Sequence, residues 1–430
     1  MNEKRKEIIF KNYLKLSNTQ PIINFSKDKT EIIVVIPAYN EPELFSYLKN
    51  LTKAYNPNAK VDVIVVLNYK KGESSEIIKL HEKIEKEFTD WSKKNSTNWL
   101  NFYCISLKDL PKKKAGVGFA RKIGFDQAIL RFYELKKYDG IIASLDADCL
   151  IDENYFIELK KHFDTYKKTM LFNIRFEHLL NSENFALNEA MAMYECYLHY
   201  YSLALKYINF PYYYHTIGSC FALRAYSYCL VDGFTSKQGG EDFYFLHKLF
   251  PFGKIGFINT TTVRPSSRLS TRVPFGTGPS LIKILNSPNK KLYIYSLSAF
   301  ECLKDFFYLI EKYYFLKDKS VFNKLHPLLL SFLEENKFFE KLNEIETNTS
   351  NFYNFKKRFF QWFNALKILK ALNKLYSIYS GFIIDELNLL LERYNKKIDI
   401  DKQMTAVEYL LKLRKIIFQL LYKSSNNSVF

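Results

Sequence analysis

The sequence predicts an α/β fold with a mainly parallel central sheet, joined to a helical carboxyl-terminal region, and three observations carry that expectation. β-Branched apolar runs alternate with helical patterns from Glu31 to Asp152. The fourth of those runs, Ile141–Leu145, ends in two carboxylates, Asp146 and Asp148, one residue apart. From about Leu281 the composition shifts to Leu, Phe, Tyr, Lys and Asn at helical spacing. Strands alternating with helices imply right-handed crossovers, which build parallel sheets whose ligand sites gather at the carboxyl ends of the strands.

The elements follow in order. Glu31–Ile36 (EIIVVI) is a strand stopped by Pro37, followed by the loop PAYNEP and a helical pattern over Glu43–Tyr55. Val61–Leu67 is a second strand, with a polar turn over Asn68–Ser75 and an amphipathic stretch to about Trp91. Asn101–Leu107 is a third strand and Ala115–Lys137 a third helix, its apolar residues recurring at helical spacing. Beyond the aspartates come a helix over about Glu153–Lys167, a strand MLFNIRFEH, and a long aromatic-rich helix over about Glu183–Tyr207. The expected organisation is an α/β domain over 1–280, with a nucleotide-binding half at about 31–150 and an acceptor half at about 151–280, then a helical region over 281–430.

Length and composition bound the rest. A chain of 430 residues with 47% hydrophobic content has ample core for one large or two ordinary domains. The formal net charge of +18, from 63 Lys and Arg against 45 Asp and Glu, favours anionic partners such as nucleotides, phospholipid surfaces or nucleic acid, without choosing among them. Six cysteines without a C-x-x-C pair argue against a zinc site and a secreted disulfide scaffold. MNEKRKEIIFKNYLKL lacks the apolar core of a signal peptide, and no stretch approaches the roughly 20 uninterrupted apolar residues that span a bilayer. A cytoplasmic protein is expected, with the inner membrane face as a further location.

The polar residues that strand ends would crowd onto one edge are Pro37, Tyr39, Asn40 and Glu41 after the first strand and Asn68 after the second. Asp146 and Asp148 point the same way in an extended segment, and like charges that close are stable with a hard divalent cation between them and an anionic partner such as a nucleotide diphosphate. An isolated Asp-x-Asp is also a common solvated turn. Lys112–Lys114 precede Gly116 and Gly118, with Arg121 and Lys122 in the first turns of the helix. Helix-start amides with Lys114, Gly118 and Arg121 suit a diphosphate; a dinucleotide site is set aside, because this G-x-G follows a loop and lacks the third glycine.

Downstream, Gly239-Gly240-Glu241-Asp242 opens the apolar helix FYFLHKL, where Asp242 is either a helix cap or a base. A helix start is expected to keep Asp242 ionised at neutral pH. Gly218 and Ser219 precede a strand facing the acceptor side. Arg264, Arg268 and Arg272 lie four apart among Ser, Thr, Pro and Gly, a phosphate-gripping loop or a plain basic one. His215 and Tyr212–Tyr214 are expected mainly as packing residues. The carboxyl-terminal helices are expected as a bundle, with an interfacial membrane contact as the alternative.

Taken together, IPAYNEP, GVGFARKIGFDQA, LDAD and GGEDFYF resemble the family 2 glycosyltransferases, inverting enzymes with a GT-A fold, over about Glu31 to Phe275. The resemblance implies that Pro37, Tyr39, Glu41 and Asn68 bind the nucleoside and that Asp146 serves the ribose. It implies further that Asp148, with Asp146, holds Mg²⁺ or Mn²⁺ on the diphosphate, that Gly218 lines the sugar pocket, and that Asp242 takes the acceptor hydroxyl's proton while Glu241 orients. Arg268 and Arg272 would belong to an acceptor or phosphate loop. The family usually has Asp where this chain has Asn68; an amide still offers a donor and an acceptor, so the choice among uracil, guanine and thymine is left open. The expected function is metal-dependent transfer, with inversion, from a nucleotide sugar (UDP favoured, GDP or dTDP as alternatives) to a hydroxyl on a glycan or lipid-linked acceptor. Nucleic acid is not an expected partner. A retaining GT-A transferase or nucleotidyltransferase is the alternative within the enzyme class, and a non-catalytic nucleotide or nucleic-acid binding protein the alternative outside it.

Overall fold

The computed structural model describes residues 1–235, 239–269, 276–401 and 403–422. They divide into two compact units, one of residues Met1–Leu179 and Thr216–Gly278, the other of Leu180–His215 and Pro279 onward.

The first unit is built on a sheet of eight strands: β1 (Thr30–Ala38), β2 (Lys60–Lys70), β3 (Leu100–Leu110), β4 (Ile141–Ser144), β5 (Leu150–Ile151), β6 (Thr169–Phe176), β7 (Phe221–Arg224) and β8 (Lys254–Arg264). Their order is β3-β2-β1-β4-β7-β6-β8-β5. Strands β3, β2, β1 and β4 are mutually parallel and β6 is parallel to β8, while β7 runs antiparallel to both β4 and β6. The result is the mostly parallel, helix-flanked sheet of a GT-A-like fold. Ile32, Ile33, Val34 and Val35 of β1 are all fully buried, as a strand with helices on both faces must be, which is why the run EIIVVI shows no polar alternation.

The flanking helices of this unit are α1 (Glu3–Ser17), α2 (Leu44–Leu51), α3 (Ser75–Asn95), α4 (Val117–Glu134) and α5 (Tyr155–Thr165). Further along, α6 (Phe185–Tyr207) belongs to the second unit, and α7 (Ala225–Leu230) and α8 (Glu241–Leu249) return to the first. Two sequence expectations are corrected here. Residues 3–17, ahead of the first element read from the sequence, form α1: the Asn2 side chain caps it by accepting from the Arg5 amide at 3.0 Å, and Phe10 and Tyr13 are buried. Strand β1 also runs through Pro37 to Ala38. The proline is tolerated because the backbone of that parity faces β4, whose pairing ends at Val35 with Ser144, so no partner needs the missing N–H.

The second unit is helical: α6 packs with Ile383–Arg393 and Ala406–Ile417, alongside helices over Leu297–Leu316, Pro327–Glu335, Phe338–Thr347, Phe352–Trp362 and Ala365–Leu375. Its core is aromatic, with Phe300, Phe306, Phe322, Phe355 and Phe359 fully buried. A wholly buried Glu195 on α6 accepts from Arg414 Nε at 2.7 Å and Nη2 at 2.9 Å, a bidentate pair that compensates both charges. The long aromatic helix that the sequence suggested for the acceptor half therefore clusters with the carboxyl-terminal helices. Among the described residues, no helix is long and apolar enough to cross a membrane.

Helix α4 lies directly on the sheet because Gly124 has no side chain: a Cβ there would sit 2.3 Å from Val35 Cγ1 and 3.1 Å from Val66 Cγ2. Gly124→Ala should accordingly lower stability by about 1–3 kcal/mol despite its better helix propensity. Urea unfolding with equal or raised stability would show that the helix can lift without cost.

Candidate active site

The site is assembled where β4 stops. Leu145 still donates its N–H to Val35 O at 3.1 Å, and the chain then turns through Asp146 and Asp148 at the carboxyl edge of the sheet. Because β7 runs antiparallel to β4 with Phe221 opposite Ser144, the residues that lead into β7, Gly218 among them, come to the same edge.

Arg121, in the second turn of α4, is the centre of the first cluster. Its side chain is only 2% exposed; Nη2 reaches Asp146 Oδ1 at 2.6 Å and Nη1 pairs with Glu241, itself 2% exposed. The sequence placed Arg121 on the diphosphate; the structure instead turns it inward, where a buried guanidinium needs carboxylates around it. Gly218 completes the packing, since a Cβ there would lie 2.8 Å from Asp242 Oδ2 and 2.9 Å from both Arg121 Nη atoms. Gly240 precedes α8 with φ 68°, the left-handed region that favours glycine, so the chain can turn sharply into Glu241 and Asp242.

Asp242 accepts from the neighbouring Phe243 N–H at 2.7 Å. Burial and, next, the adjacent Glu241 carboxylate push its pKa up to about 7, with Arg121 opposing them. The expectation of an ionised Asp242 at neutral pH is thus corrected: loss of solvent and a like charge outweigh the helix start.

A second cluster lies around Arg268, in the segment that follows β8. Its Nη2 is 2.9 Å from Asp148 Oδ2 and also pairs with Glu41, whose carboxylate is buried. Arg264, at the end of β8, pairs with Asp152. Arg272 lies outside the described residues.

A cleft beside the ends of β1 and β2 is lined by Ala38, Tyr39, Glu41, Leu67 and Asn68 and backed by Ile77, Leu80, His81 and Ile84 of α3. Asn68 is buried and uses both ends of its amide, donating Nδ2–H to Ala38 O at 3.3 Å and accepting from the Gly116 N–H at 3.0 Å. It thereby ties the end of β1 to the start of α4. Tyr39 donates to Glu73 at 2.9 Å. Pro37 is buried within β1, Gly118 is buried in the first turn of α4, and Lys114 is exposed in the loop before it. Sequence reasoning missed the wall from α3, although Ile77, Leu80, His81 and Ile84 have the helical spacing that signals a single covered face.

Among the described residues, no group of three or more His, Cys, Asp or Glu converges as a ready-made metal site. Mg²⁺ or Mn²⁺ on a diphosphate needs only one or two carboxylates, the remaining positions going to phosphate and water. Asp146 and Asp148 supply such hard carboxylate oxygens, each paired with a cationic side chain in this structure. The residues present fit the ion.

Two measurements follow from this geometry. Arg121→Met strips the compensation from buried Glu241 and should cost about 3–5 kcal/mol in urea unfolding, far more than a surface arginine. Because the folded state raises the Asp242 pKa from 3.8 to about 7, protonation favours folding: the stability this carboxyl contributes is fully present below pH 3.8 and disappears as pH rises to about 7. Wild type should therefore lose stability relative to Asp242→Asn across that window, and parallel pH profiles of the two would refute the raised pKa.

Residues 33–230 match the family described as Glycosyl transferase family 2. No curated protein sequence matches the chain. Among solved structures it is similar to TarS 1-349 of S. aureus in complex with UDP-GlcNAc, at 14% identity and TM-score 0.39, covering 90% of this chain and 92% of that one. It is also similar to the mannosyltransferase PcManGT from Pyrobaculum calidifontis in complex with GDP-Man and Mn²⁺, at 12% identity and TM-score 0.36, covering 99% and 90%. A third similarity, to GalNAc-T7 with UDP, GalNAc and Mn²⁺, has 13% identity and TM-score 0.36 and covers 61% of this chain and 48% of that one.

Proposed function

Since the chain is a glycosyltransferase whose residues 33–230 form a family 2 domain, we propose that it transfers a sugar, with inversion, from a nucleotide diphosphate donor to a hydroxyl group, using Asp242 as the base. The observation that carries this reading is the meeting of three carboxylates, Asp146, Glu241 and Asp242, around Arg121 and Gly218, at the sheet edge where Asp148 pairs with Arg268. A single displacement needs that division: an anion-binding side for the leaving diphosphate and a carboxylate for the incoming hydroxyl.

The nucleoside lies in the cleft of Ala38, Tyr39, Glu41 and Asn68, with UDP favoured and GDP or dTDP as alternatives. Asp148 and Asp146 would hold Mg²⁺ or Mn²⁺, which supplies positive charge to the departing diphosphate. Lys114, exposed on the loop ahead of α4, would add positive charge for the diphosphate. Glu241, clamped by Arg121, fixes the start of α8 and so the direction in which Asp242 points. Asp242 accepts the proton of the acceptor hydroxyl as its oxygen attacks the anomeric carbon. A base with a pKa of about 7 is half ionised near neutral pH and retains real proton affinity, which suits this role. The bare backbone of Gly218 leaves the Asp242 carboxylate uncrowded. The acceptor is a glycan or lipid-linked hydroxyl, and a peripheral membrane contact would serve the second of these.

The reading is tested by thermal shift over a panel of nucleotide sugars with and without Mn²⁺, followed by two variants. Asp148→Asn should remove metal-dependent donor binding in calorimetry, whereas Asp242→Asn should leave it largely intact. Asp242→Asn should slow transfer by roughly 10²–10⁴ while the fold is retained. In the wild type the transfer rate should climb with pH around 7 as Asp242 ionises. Near-normal transfer by Asp242→Asn, or a product of retained configuration, would end the inverting assignment.

A further inference from the structure

We propose that Arg268 is the chain's own counter-cation for Glu41 and Asp148, excluding free divalent metal from that pair of carboxylates until a diphosphate draws its guanidinium away. The proposal rests on the reading of Asp148 as the metal ligand. One nitrogen, Nη2, serves both acids: it is 2.9 Å from Asp148 Oδ2 and in contact with Glu41 Oε1. The Glu41 side chain is 6% exposed and that of Asp148 19%, so water screens neither well and each requires a nearby cation.

The guanidinium is delivered from a fixed base. Pro265 O accepts the Leu179 N–H at 3.2 Å, the Ser267 hydroxyl donates to Leu179 O, and Arg264 pairs with Asp152. These anchors hold the backbone immediately before Arg268. The two aspartates of the Asp-x-Asp therefore differ. Asp146 is held by Arg121, 2% exposed and enclosed by its partners, whereas Asp148 is held by Arg268, which is 33% exposed and can swing out.

An exchange of cations at Asp148 then has a direction. A lone Mn²⁺ must displace the guanidinium from Asp148 without supplying an anion in exchange. Mn²⁺ arriving with a diphosphate brings phosphate oxygens, to which a planar guanidinium binds bidentately. Metal and nucleotide are thus linked, each raising the affinity for the other, and Arg268 sets the size of that linkage.

The test titrates the full-length chain with Mn²⁺ alone, following the free-ion electron paramagnetic resonance signal, and separately with UDP and GDP in the presence of Mn²⁺ by calorimetry. Arg268→Gln should bind Mn²⁺ alone about 10-fold more tightly than wild type, and Arg268→Lys, which keeps the charge, should stay close to wild type. In the same Gln variant, binding of the nucleoside diphosphate with Mn²⁺ should weaken. The gain in Mn²⁺ affinity should vanish in the double variant Arg268→Gln, Asp148→Asn. If Arg268→Gln does not tighten Mn²⁺ binding while Asp148→Asn still abolishes Mn²⁺-dependent nucleotide binding, the metal site stands and the counter-cation role is wrong. If Asp148→Asn leaves that nucleotide binding unchanged, the metal assignment fails and takes this proposal with it.

Discussion

A guanidinium deprived of water must be surrounded by carboxylates, and the burial of Arg121 imposes that requirement on the first unit's active edge. Three chain segments distant in sequence answer it: the turn after β4 with Asp146, the start of α8 with Glu241, and the approach to β7, where Gly218 leaves the space that any side chain would fill. Glu241, 2% exposed, cannot shift far without leaving a buried charge uncompensated, whereas Asp146 is 39% exposed and is held by its ion pair alone. Asp146 and the proposed base, Asp242, are consequently held in a common frame, although almost a hundred residues separate them along the chain.

The frame depends in turn on the sheet. Strand β7 is inserted antiparallel between two sets of parallel strands, and this reversal brings the Gly218 segment to the edge where β4 ends. Helix α4 can carry Arg121 to that edge only by lying close on β1 and β2, which Gly124 permits, and its first turn is held by the bond from the Gly116 N–H to Asn68. Asn68 is therefore a structural link as well as part of the cleft proposed for the nucleoside, so the same amide also sets where the helix carrying the arginine begins.

Charge at this edge is arranged in two tiers. Arg121 is enclosed and permanent; Arg268 is partly solvated and, in the proposed mechanism, exchangeable. Asp242 sits between these extremes, its carboxyl raised by burial and by Glu241 to a value at which both protonation states are accessible near neutral pH. The second unit satisfies the same rule by a different route, with Glu195 wholly buried against the bidentate Arg414 and an aromatic core around it.

Local chemistry wrote much of this into the sequence. Continuous β-branched runs identify β1, β2 and β4 because a strand covered on both faces has no polar alternation to hide. The Asp-x-Asp turn, the glycine pair ahead of α8 and the helical carboxyl-terminal region were legible for the same reason: each is a matter of neighbours along the chain. Helix α1 was not, since its short apolar run lies among charged residues and acquires meaning only when Tyr13 finds Asp126 on α4 at 2.5 Å. Nor did spacing reveal that Arg121 faces inward, that Arg268 meets Glu41 and Asp148, or that Asp242 is raised rather than lowered. Those outcomes depend on which charges come within a few ångströms and on how much water remains between them. Periodicity determines the faces of helices and strands, whereas desolvation and long-range ion pairing exist only once the sheet has brought distant loops to one edge.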